Sequence, residues 1–136
     1  MTDNSTHLLV IDAANVVGSR PDGWWRDRAG AARRLLTSLK SLASQLNDPT
    51  EVAVVLEGAA KSAVESESDP NFAELQIILA PGSGDDAIVD LVAEAVAADN
   101  NRQITVITAD RGLRARVEPL GAQTTGPTWL WTHLGT

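Results

Sequence analysis

Residues 8–12 read Leu-Leu-Val-Ile-Asp, and the meaning of this short run decides the fold. Four successive large apolar residues leave no polar position to face water. That is the pattern of a strand covered on both faces, as in a parallel sheet. The run ends on a carboxylate, and the arrangement recurs along the chain. VAVVL at 52–56 runs into Glu57, and ITVI at 104–107 leads through Thr108 and Ala109 into Asp110. LQIIL at 75–79 is a weaker fourth candidate, followed by the turn PGSG at 81–84 and then Asp85 and Asp86.

Helical periodicity fills the intervals. From Arg28 to Leu46 the apolar residues Ala32, Leu35, Leu36, Leu39, Leu42, Ala43 and Leu46 form a stripe of period 3.6. From about Asp85 to Ala98, Ile88, Leu91, Val92, Ala95 and Val96 share one face. Ser83 supplies an N-cap and the two aspartates first-turn acids that suit the helix dipole. A short helix is expected after Asp110, whereas 59–71 is polar and uneven and reads as a loop or frayed helix. Asp90 and Glu94, at four-residue steps from Asp86, read as a solvated face. Without repeat or linker, the expected architecture is one α/β domain over 1–136. It is a three-layer sandwich with a mainly parallel, Rossmann-like central sheet and right-handed crossovers.

Composition narrows the class. The 136 residues are 43% hydrophobic and 21% charged, enough apolar content for a folded core. The chain has no cysteine, which excludes disulfides, thiolate metal sites and a cysteine nucleophile. No apolar run approaches the roughly 20 residues of a membrane-spanning helix. The first residues lack the basic region of a signal peptide, so the expected location is the cytoplasm, and Asn4-Ser5-Thr6 reads as a chance sequon. A net charge of −7 opposes nucleic-acid binding at first sight. The charge is uneven, however: +2 over 1–47, −11 over 48–99 and +2 over 100–136. The basic residues gather at Arg20–Arg34 and Arg102–Arg116, so a polyanionic partner remains compatible.

In open parallel sheets the functional crevice lies at the carboxyl ends of the strands, where Asp12, Glu57, Asp85, Asp86 and Asp110 fall. Clustered carboxylates raise one another's pKa unless a cation neutralises them, and an all-oxygen donor set suits Mg²⁺ or Mn²⁺. Other chemistries fit poorly. His7 begins a strand at the edge opposite the acids and His133 lies near the C-terminus, which opposes a Ser-His-Asp triad. PGSGDD has the spacing of neither a dinucleotide fingerprint nor a phosphate loop.

The segments VIDAANVVG at 10–18, VVLEG at 54–58, GSGDDAI at 82–88 and VITADRGL at 106–113, in that order, resemble the NYN branch of the PIN-like ribonucleases. The resemblance is to the bacterial YacP-like subgroup and spans about His7 to Ala122. It implies a metal-dependent nuclease fold acting on RNA. Asp12-Ala13-Ala14-Asn15 stands where the subgroup usually has Asp-Gly-Tyr-Asn, and Glu57 where it usually has Asp. The segment Thr108-Ala109-Asp110-Arg111 is similar to the family's TSDR or TADR.

The expected activity is divalent-metal-dependent hydrolysis of RNA phosphodiesters. Asp12, Asp110 and Asp85 or Asp86 would be the metal-holding catalytic acids, and Glu57 an outer-shell ligand or a structural cap. Asn15, Arg20, Arg26, Thr108 and Arg111 are the candidate substrate-binding residues, Asn15 being expected to fix Asp12 or a bound water, with a basic rim of Arg20, Arg26, Arg28, Arg111, Arg114 and Arg116 around the acids. Of Trp24 and Trp25, one is expected to pack on the body and the other to offer a face to a base. Trp129 and Trp131 are expected to clamp the C-terminus or form a homodimer contact. The alternatives are a binding module for RNA or protein with the same fold and weak or no catalysis, and a metal-dependent phosphohydrolase of small esters. The expected partner is RNA, or single-stranded nucleic acid more generally, and no membrane.

Overall fold

In the computed structural model, residues 6–46 and 49–135 are described, apart from the side chains of Ala43 and Ser44. Asn4, Ser5 and the Ala43 side chain of the sequence reading lie outside these. Five parallel strands form one sheet in the order β3-β2-β1-β4-β5: β1 His7–Asp12, β2 Thr50–Leu56, β3 Gln76–Leu79, β4 Ile104–Ile107 and β5 Gln123–Thr125. The helices are α1 Ala13–Gly18, α2 Arg28–Gln45, α3 Gly84–Ala98, α4 Arg111–Val117 and α5 Pro127–Leu134. The α/β sandwich and the four apolar strands agree with the reading from sequence.

The continuous apolar runs are explained by burial on both sides, because successive side chains of a strand point to opposite faces. Leu9, Ile11, Val52, Val54 and Leu56 pack with Leu35, Leu36 and Leu39 of α2. Leu8, Val10, Ala53, Val55 and Val106 pack with Ile88 and Val92 of α3 and Leu113 of α4. The sheet is the middle layer, and every strand is presented with its carboxyl end at one rim.

Several elements escape the periodic reading for local reasons. Helix α1 is only six residues long and starts because the Asp12 carboxylate accepts from the Asn15 N–H at 3.3 Å. Strand β5 has three residues, Gln123-Thr124-Thr125, and pairs with β4 without an apolar run of its own. The 59–71 stretch contains two 3₁₀ turns, Gly58–Ala63 and Pro70–Phe72. Asp69 organises the second: its carboxylate accepts from the N–H groups of Asn71 and Glu65 at 2.9 and 3.1 Å. Those two bonds hold its pKa below the ordinary carboxylate value. Glu67 accepts from the Leu79 N–H at 2.8 Å, so a side chain covers part of the β3 edge. At the other end, α5 buries Leu130, and Trp131 donates from its indole N–H to the Ser19 hydroxyl at 2.9 Å. Trp129 and Trp131 are half-buried against the body, which fits the clamp. Among the described residues the exposed large hydrophobic is Trp25.

Candidate functional site

Between β1 and β4 the chain reverses the direction in which strands are added, so a crevice opens at their carboxyl ends. Asp12 ends β1 and is 5% exposed, deep in that crevice. Ile11 pairs with Ile107, which brings Asp12 level with Thr108. The fully buried Thr108 hydroxyl donates to the Asp12 carboxylate at 2.8 Å and accepts from the Asp110 N–H at 3.1 Å. One hydroxyl therefore ties together two acids that lie far apart in sequence. Asp110 itself caps α4, accepting from the Leu113 N–H at 3.1 Å, and stands exposed at the rim.

Asn15 adds a second tie. Its side-chain oxygen accepts from the Ala109 N–H at 2.9 Å, locking the first turn of α1 to the β4–α4 connection. Asn15 and Thr108, expected from sequence as substrate contacts, are thus engaged in holding the acids. On the β2 side, Glu57 accepts from the Gly84 N–H at 3.0 Å and fixes the start of α3. A Cβ on residue 84 would stand 2.8 Å from a Glu57 carboxylate oxygen, so any larger residue there would push the Glu57 carboxylate aside. The close approach brings Asp85 of the first turn next to the other acids.

Electrostatics records the convergence. Burial pushes the Asp12 carboxyl up to about 6, with the negative charges of Asp85 and Glu57 adding to it; the Thr108 and Asn15 hydrogen bonds pull the other way. Asp85 is also raised, first by partial burial and then by Asp110 and Glu57, with Arg116 offsetting part of the rise. Asp86 is placed differently. It pairs with Arg116 at 2.9 Å on the exposed flank of α3, and its charge adds to the rise of Asp85 less than those of Asp110 and Glu57 do. Asp90 and Glu94 are exposed, as the solvated-face reading expects.

The arginines are more committed than a free basic rim. Arg114 donates twice to the Thr108 carbonyl, at 3.2 and 3.1 Å, and Arg116 is taken by Asp86. Arg20 lies 4.0 Å from the Trp131 ring centroid, Arg26 stacks over Trp25 and Arg28 over Trp24. Arg102 pairs with Glu51, at the far end of the strands. Arg26 and Arg111 remain exposed. Trp24 is half-buried and Trp25 is 52% exposed, their rings edge-to-face at 6.1 Å, so Trp24 is the more packed ring and Trp25, with Arg26 over it, the more exposed one.

The donor set is all oxygen, and two of its carboxylates are raised by burial and mutual repulsion, which is the chemistry a hard divalent cation relieves. Among the described residues no three acidic or histidine side chains stand ready as a closed ligand cage. Mg²⁺ commonly retains several waters and uses one or two carboxylates together with substrate phosphate, so an open acidic crevice suits it.

No protein-family model matches the chain, and no curated protein matches it in sequence. Its structure is similar to the crystal structure of Rae1 (YacP) from Bacillus subtilis. The TM-score is 0.72 at 19% identity, covering 94% of this chain and 74% of that one. The likeness is one of fold, and it carries the name of the subgroup that the four sequence segments resemble. With its five-stranded parallel sheet and helices on both faces, the chain has the PIN-like three-layer fold that it shares with Rae1 (YacP).

Proposed function

We propose that the chain is a divalent-metal-dependent ribonuclease, acting at the crevice between β1 and β4. The observation that carries this reading is the Thr108 hydroxyl bridging Asp12 and the Asp110 backbone, with Asp85 drawn into the same field. Asp12, Asp85 and Asp110 would hold Mg²⁺ or Mn²⁺, directly or through water. A cation there lowers the pKa of bound water and neutralises charge on the leaving oxygen. Thr108 and Asn15 orient the acids, Glu57 sets the position of α3, and Asp86 keeps Arg116 beside Asp85. Arg111, exposed on the first turn of α4 next to Asp110, is the cation best placed for the phosphate, with Arg26 and Arg20 further along the strand. Phosphate contacts supply affinity that falls with salt.

The test pairs Asp110→Asn with Arg111→Ala in highly purified protein. Asp110→Asn removes one negative charge from the acidic cluster; Mn²⁺-dependent RNA cleavage falls by orders of magnitude while RNA binding persists or tightens. Arg111→Ala weakens binding and lowers its salt dependence by about one phosphate contact. A pure binding module, or an esterase of small phosphates, gives no metal-dependent RNA cleavage in the wild type. Cleavage that survives in Asp110→Asn, or that ignores EDTA, refutes the proposal.

A further inference from the structure

A cavity of about 310 Å³ opens beside Glu57, at the small end of the roughly 300–1,000 Å³ range of small-molecule sites. It exists because three elements each present alanine where a larger side chain would close it: Ala14 on α1, Ala32 on α2 and Ala60 on the 3₁₀ turn after β2. Trp24 forms one wall. Its ring rests against Gly18, where an added Cβ would lie 3.6 Å from the indole, so the wall is positioned by packing. Arg28, exposed and 5.0 Å from the Trp24 ring centroid, places a cation at the opening.

The cavity adjoins the acidic crevice: its Ala13 directly follows Asp12, and its Glu57 accepts from the Gly84 N–H, one residue before Asp85. A chain whose phosphate lies at those acids therefore carries a base past this opening. An aromatic wall suits the face of a base. Glu57 accepts hydrogen bonds and offers none: one of its lone-pair sites serves the Gly84 N–H and others remain. A carboxylate favours the amino group of adenine, cytosine or guanine. Uracil instead presents a single N–H between two carbonyl oxygens, which a carboxylate repels.

Building on the ribonuclease reading, we propose that this cavity seats one unstacked, amino-bearing nucleobase of the substrate strand, packed on Trp24 and read by Glu57. The pocket is a specificity determinant lying beside the catalytic acids and distinct from them.

The test is binding in EDTA, where no cleavage interferes. Fluorescence anisotropy compares hexauridine with ribohexamers carrying one adenine, cytosine or guanine at each position in turn. The wild type binds about tenfold tighter when an amino-bearing base occupies one particular position. Ala14→Leu, a change at an exposed helical residue that fills the cavity, brings that affinity to within about twofold of hexauridine. Glu57→Gln keeps the Gly84 bond and removes the preference among bases. Trp24→Leu, with its fold checked by urea denaturation, weakens binding of the preferred hexamer by roughly fivefold or more. Base-blind binding by the wild type overturns the inference, as does a preference that survives Ala14→Leu. Base-blind binding with intact Mn²⁺-dependent cleavage overturns the pocket alone. Base-selective binding without such cleavage supports the pocket and overturns the ribonuclease reading instead.

Discussion

Replacing Asp12 by Asn should stabilise the metal-free protein while abolishing cleavage. Asp12 is 5% exposed, and its carboxyl is raised from an ordinary 3.8 to about 6. At 1.36 kcal/mol per tenfold change, the buried charge costs about 3 kcal/mol relative to the neutral form at pH 7. Because the folded-state pKa is the higher one, the native state binds more protons over this range. Stability from this group is full below 3.8 and declines as pH rises through 6. Asparagine stays neutral throughout, is as good an N-cap as aspartate, and still offers an oxygen to the Asn15 N–H. It cannot accept the Thr108 hydroxyl with that same strength, a loss of about 1 kcal/mol. The expected net gain is about 2 kcal/mol at pH 7; at pH 4 the charge costs only about 0.5 kcal/mol, so the gain is gone and the variant is slightly the less stable. Urea denaturation in EDTA at the two pH values measures it, alongside Mn²⁺-dependent RNA cleavage at pH 7. If Asp12→Asn is no more stable than the wild type at pH 7, burial is not the dominant force on this carboxyl. A gain that does not diminish on acidification is equally contrary to the argument.

Millimolar Mn²⁺ should raise the melting temperature of the wild type at pH 7.5, because a cation relieves carboxylate repulsion in the folded state only. The shift should fade below pH 6, where a proton competes for Asp12; a shift independent of pH, or none, counts against the site. Asn15→Ala severs the tie to Ala109 and should cost about 1 kcal/mol in urea denaturation, with a larger proportional loss of kcat than of RNA affinity. Gly84→Ala forces Glu57 away from the start of α3, so cleavage should fall several-fold while the melting temperature moves little. An unchanged rate would show that the Glu57 position does not govern Asp85.

How much of this was legible beforehand depended on the range of the interactions. LLVI, VAVVL and ITVI identified themselves as strands because burial on both faces leaves a continuous apolar run. The long helices α2 and α3 were legible because packing one face on the sheet imposes a 3.6-residue period. The acids at strand ends followed from the same reading, since a parallel sheet presents all its carboxyl ends at one rim. The short elements α1, β5 and α5 carry no comparable pattern: six, three and eight residues are held by caps, ladder pairing and packing against distant partners.

The roles within the site were decided in three dimensions. Asp85 and Asp86 are neighbours with the same cap chemistry, yet successive helical residues point about 100° apart. Asp85 therefore joins Asp12 and Asp110 in their field, while Asp86 turns to Arg116. Thr108 and Asn15, candidate substrate contacts by their position in the sequence, form ties to Asp12 and Ala109 across 96 and 94 residues of chain. The arginine rim was similarly thinned when Arg114 and Arg116 found partners. Sequence alone determined the sheet, its principal helices and the rim where the acids gather, because burial writes a repeating pattern into neighbouring residues. Only the tertiary structure decided which carboxylates share a field and which cations remain exposed, because a polar side chain's partner is chosen by proximity in space and leaves no periodic trace along the chain.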